Sequence, residues 1–589
     1  SMFLGPVVAW RVFGSTDLHV MFQGRRFLLS VAFLLGTSTA SVLLLWRIRP
    51  TTTANRAVAA GFVAIAGCIG WFFLAFGNDA SGRTQMLSAF PGSQPVVEAI
   101  RSLGDLDSDG FAGILGGGDC DDNDPRRYPG QVEIVDNGVD ENCWGGDLES
   151  VPEPHVINPS YEGRRNILIV TIDAWRPDSL RKRVRGQPVM PRLEAFAEHS
   201  AVFERAYTPA PYTIDSLRSL ISGRYPIDYT QTGTYFGMEP TLGELAASRG
   251  YDTAVLQQIY NMGPYVTFGF DDVDNSLAVE NRLFAGRTSD AMTDKALERH
   301  AQLRASGEPY VLWVHYFDPH SDYLPRENAP FGGESRARRY FQEVWATDRA
   351  VGRLLAGVED RGFFDDGIAV ITGDHGESLG ERGQVGHGYF MTEEVMGVPL
   401  VMRGPDIAAG VYEQPVSLID LYPTLADIAL GVRVSSDGLS LARLWDGDEA
   451  AQQAFDSRQI FGQSYYYQKV HKWCVWDWPW KFTVDIDMGT ARLQDLSRPD
   501  ARRHNLVEQE PEIAARLRQA IGHRWDVSHN NLRLEEKLER YDDRKVSLDV
   551  LYEQAKSVLN QKCELGDAES CKKLEKWRRE GPPPRFRPD

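Results

Sequence analysis

A glycine-rich loop that follows an apolar run carries one aspartate and two histidines. The loop covers residues 371–388 and contains Asp374, His375 and His387. The run before it, residues 367–372, has the pattern of a buried parallel strand, and strand ends often present ligands. Carboxylate and imidazole groups together suit divalent metal ions. The stretch predicts a metal site, although a polar loop that only caps the strand would contain the same residues.

A second apolar run and a short helix add a carboxylate and a hydroxyl to this chemistry. Residues 166–172 form another buried-strand pattern that leads into Asp173, which we expect beside Asp374 at the same sheet edge. Residues 209–223 indicate a turn and a short helix that ends at a glycine, with Thr213 at the positive end. A hydroxyl there can act as an alkoxide nucleophile on an anionic ester. Alternatively, Thr213 serves only as the N-cap.

Together these motifs resemble the sulfatase family of the alkaline phosphatase superfamily over residues 164–521. Residues 311–323 are similar to the family segment that ends a core strand and supplies substrate-binding histidine, and residues 416–426 to its helix behind the site. Residues 479–517 resemble a small C-terminal subdomain with one hairpin and a closing helix. The resemblance implies an α/β fold like that of alkaline phosphatase, with a mixed, mostly parallel sheet flanked by helices and an α+β subdomain at about 455–525.

The resemblance also implies roles for individual side chains. One divalent ion, calcium, manganese or zinc, would be held by four residues: Asp173, Thr213, Asp374 and His375. Thr213 stands at the nucleophile position. Three histidines would surround the leaving group, where imidazole can donate a proton: His315, His320 and His387. A second metal ion would take Asp318, His320 and His387 as ligands.

Several positions depart from the sulfatase pattern. Type I sulfatases oxidise a cysteine or serine to formylglycine, and Thr213 cannot give that aldehyde. The arginine expected four residues later is Leu217, with Arg218 one place further, and residues 250–258 lack the family's lysine and nearby histidine. Threonine here resembles phosphodiesterases and membrane-bound phosphoethanolamine or glycerol-phosphate transferases instead. We expect attack on a phosphate ester through a phosphothreonine intermediate, with a sulfatase without formylglycine or an inactive binding protein as alternatives.

The N-terminal part predicts attachment to a membrane. After a polar N-terminal segment, residues 1–24, the interval 25–78 contains two uncharged apolar stretches long enough to cross a bilayer, residues 27–46 and 57–77. Arginines in the short connection, residues 47–56, favour its placement in the cytoplasm, whereas Arg25 and Arg26 favour the opposite orientation. We expect a transmembrane helical hairpin in the inner membrane, a catalytic domain in the periplasm or outside the cell, and a lipid headgroup or envelope glycan ester as substrate.

Four of the six cysteines form local pairs that predict disulfides, Cys120–Cys143 and Cys563–Cys571, and hence an oxidising compartment. The first pair closes an acidic module, residues 100–148. Its start matches the first half of an EF-hand loop, but position twelve is Gly116 rather than glutamate. We expect this module to bind calcium, with a flexible acidic linker as the alternative. Its candidate ligands are Asp105, Asp107, Asp109, Asp119, Asp121, Asp124, Asp136 and Asp140.

The remaining organisation follows from composition. Residues 149–163 contain three prolines and predict a linker, residues 164–525 are long enough for a large α/β core, and residues 526–589 indicate a charged helical extension with a disordered tail. The net charge of −19 gives no support for nucleic-acid binding.

Overall fold

The protein is described by a computed structural model that covers most of the chain beyond residue 93. The described residues are 94–129, 131, 134, 136–143, 146–147, 155–161, 163–226, 240–258, 266–277, 288–320, 323–464, 472–486, 489–498, 500–501, 504–530 and 579. Within them, no helix is both long and apolar enough to cross a membrane. The predicted hairpin at residues 27–46 and 57–77 lies outside the described residues, as does the predicted pair Cys563–Cys571.

The described residues separate into two compact units. One unit draws on Val151–Trp478 and the other on Ser1–Ser150 with Pro479–Asp526. The strands, in chain order, are β1 (His155–Ile157), β2 (Asn166–Ile172), β3 (Arg183–Val184), β4 (Gln187–Pro188), β5 (Ala201–Tyr207), β6 (Asp252–Leu256), β7 (Asp272–Asp274), β8 (Tyr310–Tyr316), β9 (Gly367–Gly373), β10 (Ser378–Leu379), β11 (Val385–Gly386), β12 (Gly397–Arg403), β13 (Gly410–Tyr412), β14 (Val416–Ser417), β15 (Val434–Ser436), β16 (Ile460–Ser464), β17 (Lys472–Asp477), β18 (Trp480–Asp485) and β19 (Thr490–Asp495). The α-helices are α1 (Gln94–Gly104), α2 (Pro191–Ala197), α3 (Thr213–Ser222), α4 (Leu242–Ser248), α5 (Ser289–Ser306), α6 (Arg336–Glu359), α7 (Glu393–Met396), α8 (Leu421–Leu425), α9 (Ala442–Trp445), α10 (Glu449–Ser457) and α11 (Pro511–Asn530).

A nine-stranded sheet forms the centre of the larger unit. Its strand order is β13-β5-β12-β9-β2-β8-β6-β7, and β14 also pairs with β5. The pairs on both sides of β2 and β6 are parallel, whereas β12 runs antiparallel to β5 and β9. The sheet is therefore mixed and mostly parallel, as the sequence predicted.

Alternate side chains of the central strands pack into two separate apolar cores. On β2, Ile167 and Ile169 belong to one core, while Leu168 and Val170 belong to the other. All seven residues of β2 are buried, as are those of β8 and β9. Strands covered on both faces are continuously apolar because neither face meets water, which is why their sequences lack the polar alternation of an exposed sheet.

Part of the predicted linker at residues 149–163 is a strand. β1 pairs antiparallel with β15, and the Ser160 backbone N–H donates to Asp427 Oδ1 at 2.6 Å. The prolines on which the prediction depended stand at positions 152, 154 and 159, beside the short strand rather than within it. The chain between them therefore remains free to pair.

The predicted C-terminal subdomain at about 455–525 is divided between the two units. In the larger unit, β16 and β17 form an antiparallel pair, and Trp476 stacks on Tyr207 with a centroid distance of 4.4 Å. In the smaller unit, β18 and β19 form an antiparallel hairpin, and helix α11 follows them in the chain. The subdomain contains two strand pairs, where the sequence predicted one hairpin.

Candidate active site

The carboxyl ends of β2 and β9 bring two aspartates together. The strands are parallel neighbours with Ile172 opposite Gly373, so the next residues along the chain, Asp173 and Asp374, leave the sheet side by side. Both carboxylates are fully buried. Asp374 Oδ1 accepts hydrogen bonds from the backbone N–H groups of Ala174 and His375, at 3.1 and 2.7 Å. This arrangement fixes one oxygen of Asp374 and leaves the other for a ligand.

His315 comes to the same place from the other neighbour of β2. It is the sixth residue of β8 and lies opposite Thr171, whose hydroxyl contacts His315 Nδ1 at 2.8 Å and accepts the indole N–H of Trp313 at 2.9 Å. His315 Nε2 is 3.6 Å from Asp173 Oδ2. The ring is wholly buried, so His315 forms part of the floor of the site behind the carboxylates.

Thr213 is the first residue of helix α3 and not its N-cap. The N-cap is Tyr212, which makes no capping bond through its side chain. Thr213 Oγ1 instead lies 3.3 Å from both Asp173 Oδ2 and His375 Nε2. The helix ends at Gly223 in the left-handed conformation, as the sequence predicted. The hydroxyl is therefore held at the positive end of the helix, next to buried acidic and imidazole groups.

The donor set fits a divalent metal ion. Asp173, Asp374 and His375 each offer one ligand atom within 4.8 Å of the others. Asp173 Oδ1 and Asp374 Oδ2 are buried and have no hydrogen-bond partner among the described residues. His375 Nδ1 is 2.8 Å from the carbonyl oxygen of Gly376, which can only accept, so Nδ1 carries the proton and Nε2 presents its lone pair. Three buried ligand atoms thus converge next to the Thr213 hydroxyl.

The electrostatics of the group also call for a cation. Burial, together with the charge of Asp374, raises the pKa of Asp173 to about 8, and burial raises the pKa of Asp374. Burial lowers the pKa of His315 to about 4 and that of His375 well below its ordinary value. Ionised carboxylates are thus costly here, while neutral imidazoles are favoured. A divalent ion would reverse the cost of the carboxylates and use the imidazole lone pair.

His387 is paired with the buried carboxylate of Glu377, a residue that the sequence motifs did not indicate. Its Nδ1 is 3.3 Å from Glu377 Oε2, and its ring lies 4.2 Å from that of His375, centroid to centroid. Burial lowers the pKa of His387, but Glu377, then Asp173 and Asp374, outweigh it and raise the pKa to about 9. His387 is therefore protonated at neutral pH. The signal for Glu377 in the sequence was its position two residues after His375 in a glycine-rich loop.

His320 lies beside His387, but Asp318 does not join them in a second metal site. The rings of His320 and His387 are 4.9 Å apart, nearly edge to face, and His320 stacks on Phe317. The Asp318 carboxylate accepts from the backbone N–H groups of Thr288 and Ser289 at the start of α5 and binds Arg326 at 2.9 Å. Among the described residues, the clusters with metal-ligand spacing do not include Asp318.

Leu217 and Arg218, the two positions on α3 that depart from the sulfatase pattern, lie in different surroundings. Leu217 is fully buried in one apolar core. Arg218 is buried, and its Nη1 lies 3.3 Å from Asp215 Oδ1; Asp215 also accepts a hydrogen bond from the hydroxyl of Tyr212. Arg218 is accordingly paired with an acidic residue of its own helix.

In the smaller unit, the structure divides the predicted calcium ligands into two sets. Asp105, Asp107 and Asp109 offer ligand atoms within 4.8 Å of one another, and the charges of Asp107 and Asp109 act on Asp119. Three of the other predicted ligands have different partners: Asp121 pairs with Arg127 at 3.0 Å, Asp124 pairs with Arg126 at 2.8 Å, and Asp140 accepts the backbone N–H of Gly146. Asp136 is exposed.

The predicted disulfide between Cys120 and Cys143 is present, with an S–S distance of 2.07 Å. It joins two parts of the acidic module that are 23 residues apart. Cys474 is buried and is not part of a disulfide.

Two family models and a curated relative match parts of the chain. Residues 165–432 match the family model described as sulfatase, and residues 119–147 match one described as a metal-binding motif. A choline-sulfatase of Rhizobium meliloti is 26% identical over 376 residues, which make up 49% of this chain and 72% of that protein.

Solved structures show the same fold. A protein of the alkaline phosphatase superfamily from Vibrio parahaemolyticus has a TM-score of 0.51 and 18% identity, and the match covers 65% of this chain and 92% of that one. The phosphonate monoester hydrolase of Agrobacterium radiobacter has a TM-score of 0.50 and 16% identity, with 62% and 96% covered.

Proposed function

We infer that the chain belongs to the sulfatase family, whose model matches residues 165–432, and from that premise we propose a hydrolase or phosphotransferase that attacks phosphate esters through the hydroxyl of Thr213. The observation that carries the proposal is the place of Thr213 Oγ1, 3.3 Å from both Asp173 Oδ2 and His375 Nε2 at the start of a helix. Threonine supplies an alkoxide for attack on phosphorus, whereas it cannot be oxidised to the aldehyde of type I sulfatases.

The first chemical step uses groups on both sides of the ester. Asp173 Oδ2, 3.3 Å from Thr213 Oγ1, accepts the hydroxyl proton as Oγ1 attacks. Oγ1 attacks phosphorus, the bond from phosphorus to the leaving oxygen breaks, and protonated His387 gives its proton to that oxygen. A divalent ion held by Asp173, Asp374 and His375 would lower the pKa of the hydroxyl and offset the phosphate charge. The product of the step is phosphorylated Thr213 with the leaving alcohol released.

The second step reverses the roles. His387, now neutral, takes a proton from water or an acceptor alcohol, whose oxygen attacks phosphorus and displaces Oγ1 of Thr213, and Oγ1 regains its proton from Asp173. The negative charge of Glu377 stabilises the imidazolium of His387 before the first step and after the second. With water the enzyme is a hydrolase, and with an alcohol it is a transferase.

Sulfate ester cleavage is the second candidate, since the choline-sulfatase relative carries that activity in its name. The same residues would serve, with Thr213 attacking sulfur. The two candidates separate when aryl phosphate monoester, phosphodiester and sulfate substrates are compared with calcium, manganese or zinc added.

The experiment pairs two substitutions of one residue. Thr213→Ala removes the hydroxyl and is expected to lower kcat by about 10³-fold or more. Thr213→Ser keeps it and should retain measurable turnover. Equal turnover of the alanine variant and the wild type would refute the nucleophile. If no variant, the wild type included, turned over any of these esters with water or with added alcohols, a binding protein on an enzyme scaffold would be favoured.

We also propose that the enzyme works at the outer side of a membrane, on a lipid headgroup or envelope glycan ester. The two apolar stretches at residues 27–46 and 57–77 and the Cys120–Cys143 disulfide support this placement. Membrane fractionation of the full chain, followed by protease treatment of intact spheroplasts, tests it. Recovery in the soluble fraction, or protection of the catalytic domain from protease, would contradict it.

A further inference from the structure

A buried glutamine at the carboxyl end of β6 has a side-chain amide without a hydrogen-bond partner in the described part of the chain. Gln257 is 1% exposed, and neither its Nε2 nor its Oε1 bonds to a described residue. Its backbone N–H donates to the carbonyl oxygen of Asp274 at 2.9 Å, so the main chain still follows the sheet at this point. A buried amide of this kind is costly unless a ligand supplies a donor and an acceptor.

The register of the sheet places Gln257 beside His315. β6 and β8 are parallel, and Leu256 lies opposite Val314. The next residues along the two strands are Gln257 and His315, which are therefore neighbours at the carboxyl edge of the sheet. His315 Nε2 is 3.6 Å from Oδ2 of Asp173, which follows the adjacent strand β2. Gln257 thus lies one strand beyond the histidine that borders the carboxylates of the active site.

Gln257 and His315 also share the face of the sheet that carries the nucleophile. Side chains two residues apart on a strand point to the same face. Two residues before this pair, Val255 and Trp313 belong to the apolar core into which helix α3 packs. That helix begins at Thr213. The amide and the nucleophilic hydroxyl therefore lie on one face of the sheet, at the same edge.

His315 presents a hydrogen-bond donor at this edge. The indole N–H of Trp313 can only donate, so the hydroxyl of Thr171 accepts it and gives its own hydrogen to His315 Nδ1. Burial lowers the pKa of His315 to about 4, so the ring is neutral at pH 7 and its one proton is on Nε2. A phosphoryl oxygen, which only accepts hydrogen bonds, suits this N–H and the amide N–H groups of Gln257.

We propose, on the basis of the phosphoesterase function above, that Gln257 binds the alcohol part of the substrate, and that the substrate is a phosphate ester with a hydroxyl group beside the ester carbon, as in a polyol or a sugar. A phosphate oxygen can accept from Nε2 of Gln257, but Oε1 needs an O–H or N–H from the ligand. A neighbouring hydroxyl supplies that donor. An ammonium group would also donate, but protonated His387 in the same site disfavours a second cation.

Binding without turnover tests the proposal independently of the nucleophile. Glycerol 1-phosphate, propyl phosphate and ethanolamine phosphate are titrated calorimetrically into the full chain with Thr213→Ala, alone and combined with Gln257→Met. Methionine has nearly the shape of glutamine but no amide. We expect Thr213→Ala to bind glycerol 1-phosphate about 10-fold or more tightly than propyl phosphate, and this ratio to fall to about 1 when Gln257→Met is added.

The adjacent Gln258 supplies a matched control. Its side-chain oxygen accepts from the hydroxyl of Thr288 at the start of α5, a helix that packs on the other face of the sheet. Gln258→Met should keep the preference for glycerol 1-phosphate and lower the midpoint of urea unfolding, because a hydrogen bond is lost. Gln257→Met should not lower the midpoint, since its amide bonds to no described residue.

Three results would overturn the proposal. One is the same ratio with and without Gln257→Met, another is the absence of any preference before that change, which would mean that the amide holds only a buried water, and the third is tighter binding of ethanolamine phosphate. If Thr213→Ala kept its turnover, the nucleophile would be refuted, and the ratio would be read from kcat/KM of the esters. The proposed function and the role of Gln257 therefore fail separately.

Discussion

Replacement of Glu377 by glutamine should move the alkaline limb of the pH profile. Glu377 is fully buried, with Oε2 3.3 Å from His387 Nδ1. Burial lowers the pKa of His387, but the charge and hydrogen bond of Glu377 are the largest influences that raise it, to about 9. Glutamine has nearly the same shape and removes the charge. We expect the pKa of His387 in Glu377→Gln to fall from about 9 towards its ordinary 6.5, since only the charges of Asp173 and Asp374 would still raise it against burial.

The size of the effect follows from the fraction of His387 that carries a proton. With a pKa of about 9, about nine tenths of it is protonated at pH 8, whereas with a pKa of 6.5 the fraction is about 3%, a loss of about 30-fold in leaving-group protonation. At pH 6 the same comparison gives less than about twofold. Activity that needs the protonated form is present below the pKa and is lost as the pH rises through it.

The assay is kcat/KM from pH 5 to 10 for two phosphate esters, one with a poor alkyl leaving group and one with a good aryl leaving group. The alkyl ester should show the shifted limb, while the aryl ester, which needs little protonation, should show much less change. Glu381→Gln serves as a control, because Glu381 binds Arg176 at 2.8 Å instead of a histidine. A limb that stays near pH 9 in Glu377→Gln would refute the role of this pair.

Three further substitutions probe the metal, the core and the helix that carries the nucleophile. Asp374→Asn should remove one tightly bound divalent ion per chain and abolish turnover. Metal analysis of the variant checks the loss of the ion, and rescue of chelated wild type with calcium, manganese or zinc checks that turnover needs it. An unchanged metal content would contradict the ligand set. Arg458→Met removes the guanidinium whose Nη1 lies 2.8 Å from the fully buried carboxylate of Asp420. The free energy of unfolding in urea should fall by about 3–5 kcal/mol. A loss below about 1 kcal/mol would be inconsistent with the buried pair. Gly223→Ala adds a methyl group at a left-handed residue, φ +67°, where it meets Tyr422, and should lower the free energy of unfolding by about 2 kcal/mol. The control is Gly447→Ala, which has open space around the added methyl group and should lower it less.

The sequence predicted the centre of the site because strand ends and ligands lie next to each other in the chain. Asp173 directly follows β2 and Asp374 directly follows β9. Once both strands are known to be parallel and buried, their neighbouring ends follow from the rule that ligands gather at the carboxyl edge. The helix that begins at Thr213 was equally visible, since its closing glycine is in the sequence.

The remaining contacts depend on distances between loops that a sequence does not contain. Asp318 looked like a ligand because it lies two residues before His320, but its carboxylate binds the start of α5 and Arg326. Glu377 was missed because a single glutamate in a loop has no periodic signal. Its importance appears only when the loop folds back and places His387 against it.

The proposed mechanism requires that Thr213 becomes phosphorylated during turnover. Acid quenching of the full chain with a slowly hydrolysed aryl phosphate, followed by mass spectrometry of the peptide that contains residues 209–223, tests it most directly. We expect a phosphoryl group on Thr213 in the wild type and no adduct in Thr213→Ala. Turnover of the phosphate ester without any adduct on Thr213, sampled from the first turnover into the steady state, would refute this requirement.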